Sequence, residues 1–262
     1  MTSESGPATL VVAGLGPGSA SCISPEAREV IRTAEVVAGY TGYVQSLSPD
    51  WLEGKQVIAT PMRDEVGRCR EAIRAALQGR PTVLICSGDP GVYALAALVL
   101  ELVEVWQCEL PVRIVPGIPA VCAAAALLGA PLTHDFACLS LSDLLTPWEV
   151  IARRARAAMG ADFVLAIYNP RSAKRSWQLE KVLEIAVEIY GDKGVVGVVR
   201  QAYRLGQSVW VGTLDALHPH SIDMFSIVVI GNSTSRVFAG RMVTPRGYLN
   251  KYDPGHGPDF SV

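Results

Sequence analysis

Short runs of uninterrupted apolar residues alternate with amphipathic stretches along the first half of the chain. The runs at 8–14 and 82–86 lack polar alternation, which is typical of strands that a parallel sheet buries on both faces, and another short strand is predicted at 112–115. The stretch at 64–79 spaces its apolar residues as a helix does, and the alanine-rich stretch at 121–128 is also predicted to be a helix. This alternation predicts an α/β fold built on a parallel sheet. The same pattern predicts a strand at 56–59 and a largely buried helix at 93–106.

The pattern changes after GAPLTHD at 129–135, a segment typical of a hinge or linker. Beyond it we predict a second α/β domain, with strands at 137–141, 162–168, 194–200, 208–211 and 225–230 and helices at 147–159 and 173–190. The short polar turn at 205–207 favours antiparallel pairing in a mixed sheet. We therefore expect an N-terminal domain over 1–130, a C-terminal domain over 131–250, a mobile tail over 251–262, and a cleft between the domains.

Loops of small residues follow three of the predicted strands, at 14–19, 87–92 and 116–120. Glycine lets backbone approach a ligand closely, and proline stiffens a loop. The carboxyl ends of neighbouring parallel strands meet at one edge, so the three loops are expected to line one crevice. SGDPG at 87–91 is the most informative of them, although alone it also fits an ordinary turn between a strand and a helix.

The first loop resembles a dinucleotide-binding loop but does not satisfy its pattern. After Gly14 and Gly16, Ser19 stands where that pattern requires glycine or alanine. Pro17 also removes a backbone donor that a pyrophosphate needs. Ser24 and Pro25 then predict a helix start, so the loop is longer than a phosphate-gripping turn. We expect a ligand that is not held by its phosphates.

Composition narrows the class of protein. The chain has 262 residues, 50% of them hydrophobic, and a net charge of -2. No stripe of lysine and arginine stands out, so nucleic-acid binding is not expected. The uncharged stretch at 114–133 contains three prolines and two glycines, which disfavour a membrane span. MTSESG lacks the features of a signal peptide, and we expect a cytoplasmic enzyme.

Cysteines and histidines give no metal or disulfide signature. The six cysteines are at least fourteen positions apart, which excludes CxxC pairs, and they are interpreted as small buried apolar residues. His218 and His220 have no third ligand near them in sequence, and His256 lies in the predicted tail. No metal site is predicted.

The order of the motifs adds a family resemblance that covers nearly the whole chain. GLGPG, SGDPGVY, VPGIPA and PLTHD resemble the tetrapyrrole methylase family of S-adenosylmethionine-dependent methyltransferases. SLSDLLTPWEVI, YNPRSAKR and MVTPRGY resemble the branch that acts on precorrin-3B in cobalamin biosynthesis. Each motif is weak alone, but all seven occur in the family's order at predicted loops or element boundaries.

The resemblance implies two α/β domains of the tetrapyrrole methylase type, assembled as a homodimer. It implies that S-adenosylmethionine binds between the domains and leaves as S-adenosylhomocysteine, beside a trough for the macrocycle. In that branch, methylation at carbon 17 is coupled to ring contraction, which converts precorrin-3B to precorrin-4. In-line methyl transfer needs two positioned reactants and exclusion of water rather than a metal or a nucleophilic side chain. The sequence singles out no residue for proton transfer.

The family pattern places a set of residues around the cofactor. The expected cofactor residues are Pro17, Ser87, Gly88, Asp89, Val92, Pro119, Ala120, Asn169, Gly197 and Ser226. Relatives often have serine or threonine where this chain has Pro119. Gly197 and Ser226 are equally open to interpretation as strand-packing residues.

Precorrins carry many carboxylates, so cationic partners are expected along the trough. The candidates are Arg63, Arg171, Lys174 and Arg175, and the last three also fit a solvated helix start. Tyr40 and Tyr43 are candidates for contact with the apolar macrocycle, or for capping a core. Asp143 or Thr146 is expected to cap the helix that follows them.

Four alternatives remain open. The substrate is either precorrin-3B or its cobalt-containing counterpart; some enzymes of the cobalt pathway carry an iron–sulfur cluster, for which no cysteine grouping is present. A family relative acting on diphthine or ribosomal RNA would lack YNPRSAKR. A dinucleotide oxidoreductase is disfavoured by Pro17 and Ser19, and a non-catalytic module by the converging glycine loops.

Overall fold

The structure is a computed structural model that describes residues 8–172 and 175–255. The chain divides into two units. The first comprises residues up to Ala123 together with Ala202–Leu205, and the second comprises Ala124–Gln201 and the chain from Gly206 onward. The boundary predicted after residue 130 falls just past the helix in which this division is made.

The first unit contains a parallel five-stranded sheet in the order β3-β2-β4-β1-β5. Its elements are β1 (Leu10–Gly14), α1 (Pro25–Thr33), β2 (Val36–Tyr40), α2 (Thr41–Val44), β3 (Gln56–Thr60), α3 (Glu65–Leu77), β4 (Thr82–Cys86), α4 (Ala96–Val105), β5 (Val112–Val115) and α5 (Ala120–Leu128), whose last turns belong to the second unit.

Both faces of the inner strands β1, β2 and β4 are covered, as the apolar runs at 8–14 and 82–86 predict, whereas the edge strands β3 and β5 are partly exposed. Val11 and Ala13 of β1 lie in one hydrophobic core with Ile31 of α1. The alternate residues of β1 lie in a second core with Ile73 of α3. Alternation of side chains across a strand therefore requires an apolar residue at every position of β1. The prediction of a parallel α/β sheet is confirmed.

Two predictions for the first unit are wrong or incomplete. The helix expected from residue 93 begins at Ala96, and of its residues only Ala96 and Val99 are buried. Val105 is 75% exposed, so this apolar helix is not largely buried. Strand β2 was not predicted, because its run VVAGY ends in residues typical of turns.

The second unit contains a mixed sheet in the order β10-β9-β11-β8-β7 and a small sheet in the order β12-β13-β6. Its elements are β6 (Gly129–Ala130), β7 (Phe136–Ser140), α6 (Trp148–Gly160), β8 (Val164–Tyr168), α7 (Trp177–Tyr190), β9 (Val195–Arg200), β10 (Ser208–Thr213), β11 (Ser226–Ile230), β12 (Arg236–Phe238), β13 (Arg241–Val243) and α8 (Tyr248–Lys251). β9 and β10 pair antiparallel across the turn at 205–207, which confirms the mixed sheet.

Helix starts in the second unit differ from prediction. Pro147 is the N-cap of α6 rather than its first helical residue, and no side chain caps this helix. Asp143 instead accepts a hydrogen bond from Gln178 Nε2 at 2.8 Å, so neither Asp143 nor Thr146 serves as the expected cap. α7 begins at Trp177. The β12–β13 hairpin was missed because its three-residue strands are too short for a periodicity signal.

The cysteines fall into two groups. Cys69 and Cys86 are buried, and Cys22 and Cys108 are partly buried. Cys122 and Cys138 are exposed, so the interpretation of all six as buried residues is wrong: Cys138 lies on β7, an edge strand with an exposed face. In the described ranges, no group of three or more His, Cys, Asp or Glu residues is arranged to hold a metal ion. No helix in these ranges is long and apolar enough to span a membrane.

Candidate functional site

The three small-residue loops meet at one edge of the first sheet. They follow β1, β4 and β5, which are neighbours in the strand order β4-β1-β5. Gly16 and Gly88 exchange two backbone hydrogen bonds, with N···O distances of 3.1 and 2.8 Å. The first two of the three loops expected to meet are thus directly hydrogen-bonded to each other. We call residues 14–19, 87–92 and 116–120 the loop cluster.

Glycine makes this close approach possible. A Cβ on Gly117 would lie 2.1 Å from the carbonyl oxygen of Gly88, and a Cβ on Gly14 would lie 2.5 Å from the same atom. Neither distance is compatible with a side chain. The loop cluster therefore depends on backbone packed against backbone.

Asp89 joins the second loop to the third. Its Oδ1 accepts a hydrogen bond from Gly91 N at 2.8 Å, and its Oδ2 accepts one from Gly117 N at 3.1 Å. Both carboxylate oxygens are therefore used by backbone amides. Asp89 was expected to help hold the methyl donor, and the geometry gives it the additional task of fixing the loops between which a ligand would lie.

The remaining expected cofactor residues of this unit lie in the loop cluster. Gly88 has φ +66°, and a Cβ there would make ordinary van der Waals contact with Ala120 N at 3.7 Å. Ala120 is the first residue of α5, and the carbonyl of Pro119 accepts from Ala123 N at 3.1 Å. Val92 closes a turn by donating to the carbonyl of Asp89 at 3.3 Å. These residues present backbone groups and small side chains.

Arg204 adds a fourth segment to the loop cluster, and no motif in the sequence indicated this residue. Its Nε donates to the carbonyl of Pro17 at 2.6 Å, and its Nη2 donates to Ser87 Oγ at 2.8 Å. Burial raises the pKa of Tyr43, while the Arg204 charge and a hydrogen bond with Ser87 lower it in part. Tyr43 therefore lies beside Ser87 and stays neutral near pH 7.

Tyr40 and Tyr43 form an edge-to-face pair, with ring centroids 5.0 Å apart. The guanidinium carbon of Arg68 lies 5.9 Å from the Tyr40 ring centroid. Arg68 is 4% exposed and donates to Thr60 Oγ1 at 2.9 Å and to the carbonyl of Pro61 at 3.0 Å. The sequence analysis did not single out Arg68. The signal that could have identified it is an arginine next to Cys69 on the apolar face of α3. Arg63 is exposed, with φ +72°.

A second group of polar side chains lies at the ends of β7 and β8 in the second unit. Asn169, with φ +49°, donates from Nδ2 to Ser140 Oγ at 3.0 Å, and its carbonyl accepts from Arg175 Nη2 at 2.6 Å. Arg175 Nε lies 3.9 Å from Asp143 Oδ1, and Gln178 donates to the same carboxylate. We call Ser140, Asp143, Asn169, Arg175 and Gln178 the polar cluster.

The expected carboxylate-binding arginines face groups of the protein itself. Arg171 Nη1 donates to the carbonyl of Pro219 at 2.8 Å, and its Nη2 lies 3.5 Å from Glu180 Oε1. The Arg175 side chain is 11% exposed, and burial lowers its pKa. Lys174 lies outside the described residues. The sequence predicted that these arginines gather at the N-terminus of a helix. They instead precede the helix, because α7 begins only at Trp177.

Gly197 and Ser226 lie on neighbouring strands of the second sheet. A Cβ on Gly197 would lie 2.6 Å from Leu128 Cδ2, so this glycine makes room for a core side chain. Ser226 is 2% exposed, and its Oγ donates to Asp223 Oδ1 at 3.1 Å. Their geometry agrees with the strand-packing interpretation and leaves only their backbone for a ligand.

The buried thiols of the first unit are not suited to act as nucleophiles. Burial raises the pKa of Cys86, the last residue of β4, to about 11, and it raises the pKa of Cys69 to about 12. Both thiols are protonated near pH 7, and a protonated thiol is a poor nucleophile. The arrangement is suited to binding and positioning a ligand.

Comparison with known proteins defines the class. The family model "Tetrapyrrole (Corrin/Porphyrin) Methylases" matches residues 9–218, and the chain belongs to this family. It is 46% identical, over 91% of its length and 99% of the relative, to the "Probable cobalt-factor III C(17)-methyltransferase" of Salmonella typhimurium. It is 38% identical, over 87% of its length and 91% of the relative, to the "Precorrin-3B C(17)-methyltransferase" of a Sinorhizobium species.

A solved structure agrees with this assignment. The crystal structure of the methyltransferase CobJ matches with a TM-score of 0.86 and 38% identity, covering 91% of this chain and 100% of that one. The expected α/β fold of the tetrapyrrole methylase type is confirmed, and the chain is an enzyme of the methyltransferase class.

Proposed function

We propose that the chain transfers a methyl group from S-adenosylmethionine to carbon 17 of precorrin-3B and contracts the ring to give precorrin-4. The observation that carries this proposal is its similarity, over nearly its whole length, to relatives named as C(17)-methyltransferases. Conversion of purified protein, S-adenosylmethionine and precorrin-3B to a singly methylated, ring-contracted product, followed by visible spectrum and mass, tests it. Absence of product from precorrin-3B and from its cobalt counterpart would refute the assignment.

A cobalt-containing substrate is the second candidate. It is favoured by the Salmonella relative, whose 46% identity exceeds the 38% of the relative named for precorrin-3B. Parallel assays with both macrocycles under anaerobic conditions separate the two. The substrate with the higher kcat/KM is the one the chain is adapted to.

In this proposal S-adenosylmethionine supplies an electrophilic methyl group, and the chain's residues hold it in place. Ser87, Gly88 and Ala120 contribute a hydroxyl and backbone groups for the methionine part. Asp89 keeps Gly91 and Gly117 in position through its two hydrogen bonds. Asn169, Gly197 and Ser226 are proposed for the adenosine, the last two through backbone atoms. Positioning and exclusion of water carry the catalysis, since the transfer needs no covalent enzyme intermediate.

Retained ligand is a simple discriminator between this function and a dinucleotide oxidoreductase. Mass spectrometry of the purified protein should find S-adenosylhomocysteine. A bound nicotinamide or flavin dinucleotide would contradict the proposal. For the macrocycle, Tyr40, Tyr43, Arg63, Arg171, Lys174 and Arg175 stay the proposed contacts.

We further propose that the enzyme is a cytoplasmic homodimer, as the family resemblance implies. Large apolar side chains on the second unit support a partner surface, because Leu145 is 97% exposed and Phe238 is 68% exposed. Light scattering during gel filtration should give twice the chain mass of 28.0 kDa. A monomer at micromolar concentration would contradict this part of the proposal.

A further inference from the structure

The loop between β9 and β10 has an unusual backbone. Gln201 has φ +49° and Tyr203 has φ +58°, both in the left-handed region that side chains normally avoid. Gly206 follows with φ +84°. Such conformations persist only where the surrounding structure holds them, and they concentrate at functional positions. Arg204 belongs to the first unit, as the loop cluster does, and is hydrogen-bonded to that cluster.

Arg204 is held by neutral groups. It donates to the carbonyl of Pro17 and to the hydroxyl of Ser87 and remains exposed to solvent. Its stem lies against Gly18, where a Cβ would come within 2.3 Å of Arg204 Cγ. Two hydrogen bonds and a glycine therefore fix the guanidinium between two loops that we propose hold the methyl donor.

No acid among the described residues compensates the charge of Arg204. Arg171, Arg175 and Arg200 each have a carboxylate within 4.0 Å, whereas the described residues provide none for Arg204. Asp89, in the neighbouring loop, has its oxygens taken by two amides. A fixed, exposed guanidinium with only neutral partners favours an anion, and its planar fork matches a carboxylate.

We propose that Arg204 binds a carboxylate of one of the two reactants. This inference rests on the proposed function, in which both reactants are carboxylates: the donor through its methionine part and the macrocycle through its acetate and propionate groups. The two sources share one chemistry. If the carboxylate belongs to the donor, Arg204 affects the affinity for the donor. If it belongs to the macrocycle, Arg204 affects the KM for the macrocycle.

The test compares Arg204→Gln and Arg204→Lys with the wild-type chain. Calorimetry measures the affinity for S-adenosylhomocysteine and for 5′-methylthioadenosine, which lacks the amino-acid part, and steady-state assays measure KM and kcat for the macrocycle. Arg70→Gln, which removes an exposed charge from α3 of the same unit, is the matched control. Loss of a charge-assisted hydrogen bond corresponds to about a tenfold change.

If the donor is the source, Arg204→Gln weakens S-adenosylhomocysteine about tenfold and leaves 5′-methylthioadenosine unchanged. If the macrocycle is the source, donor affinity holds and KM rises about tenfold with kcat retained. In either case Arg204→Lys restores part of the loss. Equal weakening of both nucleosides, or no change in any constant, would overturn the inference. A wild-type chain that binds no donor and forms no product would instead refute the proposed function.

Discussion

The loop cluster of the first unit and the polar cluster of the second are built by different means. In the loop cluster, glycine backbones touch, and the central contact is the double hydrogen bond between Gly16 and Gly88. In the polar cluster, side chains from separate elements bond to one another, as Arg175 does with the carbonyl of Asn169. The first arrangement has no room for an added methyl group at Gly14 or Gly117, whereas the second is expected to tolerate exchange of one side chain for another. Substitutions should therefore affect the two regions very differently.

The largest effect is expected from Gly117→Ala. Its Cβ would lie 2.1 Å from the Gly88 carbonyl oxygen, so two loops must separate. We expect a loss of about 3 kcal/mol in the free energy of unfolding and loss of donor binding. Urea unfolding and calorimetry measure both. Gly160→Ala is the control, because a Cβ there meets nothing within 4 Å, and its stability should be unchanged or slightly higher. Similar stability for the two variants would show that the loops are not packed as described.

The next effect is expected from Asp89→Ala. It leaves the amides of Gly91 and Gly117 without their acceptor, at a cost of about 2 kcal/mol. Donor affinity should fall more than macrocycle affinity, because the loops that hold the donor loosen. Asp89→Asn keeps one acceptor oxygen and should lose less. Unchanged donor affinity in Asp89→Ala would contradict the role of this residue in the loop cluster.

A smaller effect is expected from raising the pH, which should lower the free energy of unfolding through buried thiols of the first unit. The pKa of Cys86 is raised to about 11 and that of Cys69 to about 12, both by burial in the first unit. The folded chain thus binds these protons more tightly than the unfolded chain, and stability present below about pH 9 is lost as the pH rises toward these values. At pH 10 we expect a loss of about 1 kcal/mol per thiol.

Urea titrations at pH 8 and pH 10 measure this loss, and Cys86→Ala should make the free energy of unfolding less dependent on pH. Leu145→Ala in the second unit is the control, because that side chain is 97% exposed and carries no titratable group, so it should not alter the dependence. An equal response of the two variants would contradict the assigned burial.

The smallest effect is expected from Gln178→Leu in the polar cluster. Gln178 Oε1 is buried without a partner in the described part of the structure, and leucine removes the cost of burying that atom. It also removes the hydrogen bond to Asp143, whose side chain is 36% exposed and accessible to water. The gain from no longer burying Oε1 and the loss of the hydrogen bond to Asp143 nearly cancel, so the free energy of unfolding should change by less than about 1 kcal/mol. A loss above 3 kcal/mol would mean that this cluster is as intolerant as the glycine loops.

Much of the loop cluster was predictable, and most of the polar cluster was not. Apolar runs ending in SGDPG and VPGIPA identify strands followed by loops, and the parallel sheet brings those loops together. The bonds that join them, such as Asp89 to Gly117, connect residues 28 positions apart and leave no local signal. Arg204 is more distant still, 187 positions from Pro17. In the polar cluster, YNPRSAKR suggested exposed cations, but Arg175 is bonded to the residues that precede it.

The sequence alone determined four of the five strands of the first sheet, its parallel pairing and the family, because these depend on apolar periodicity and on short motifs in order. Only the tertiary structure decided that Gly14, Gly88 and Gly117 pack backbone to backbone, that the Asp89 carboxylate joins two loops, and that Arg204 crosses from a distant loop to Ser87. The reason is physical. Apolar burial is encoded by local spacing, whereas a hydrogen bond between distant loops forms only after the sheet has fixed the direction of each strand.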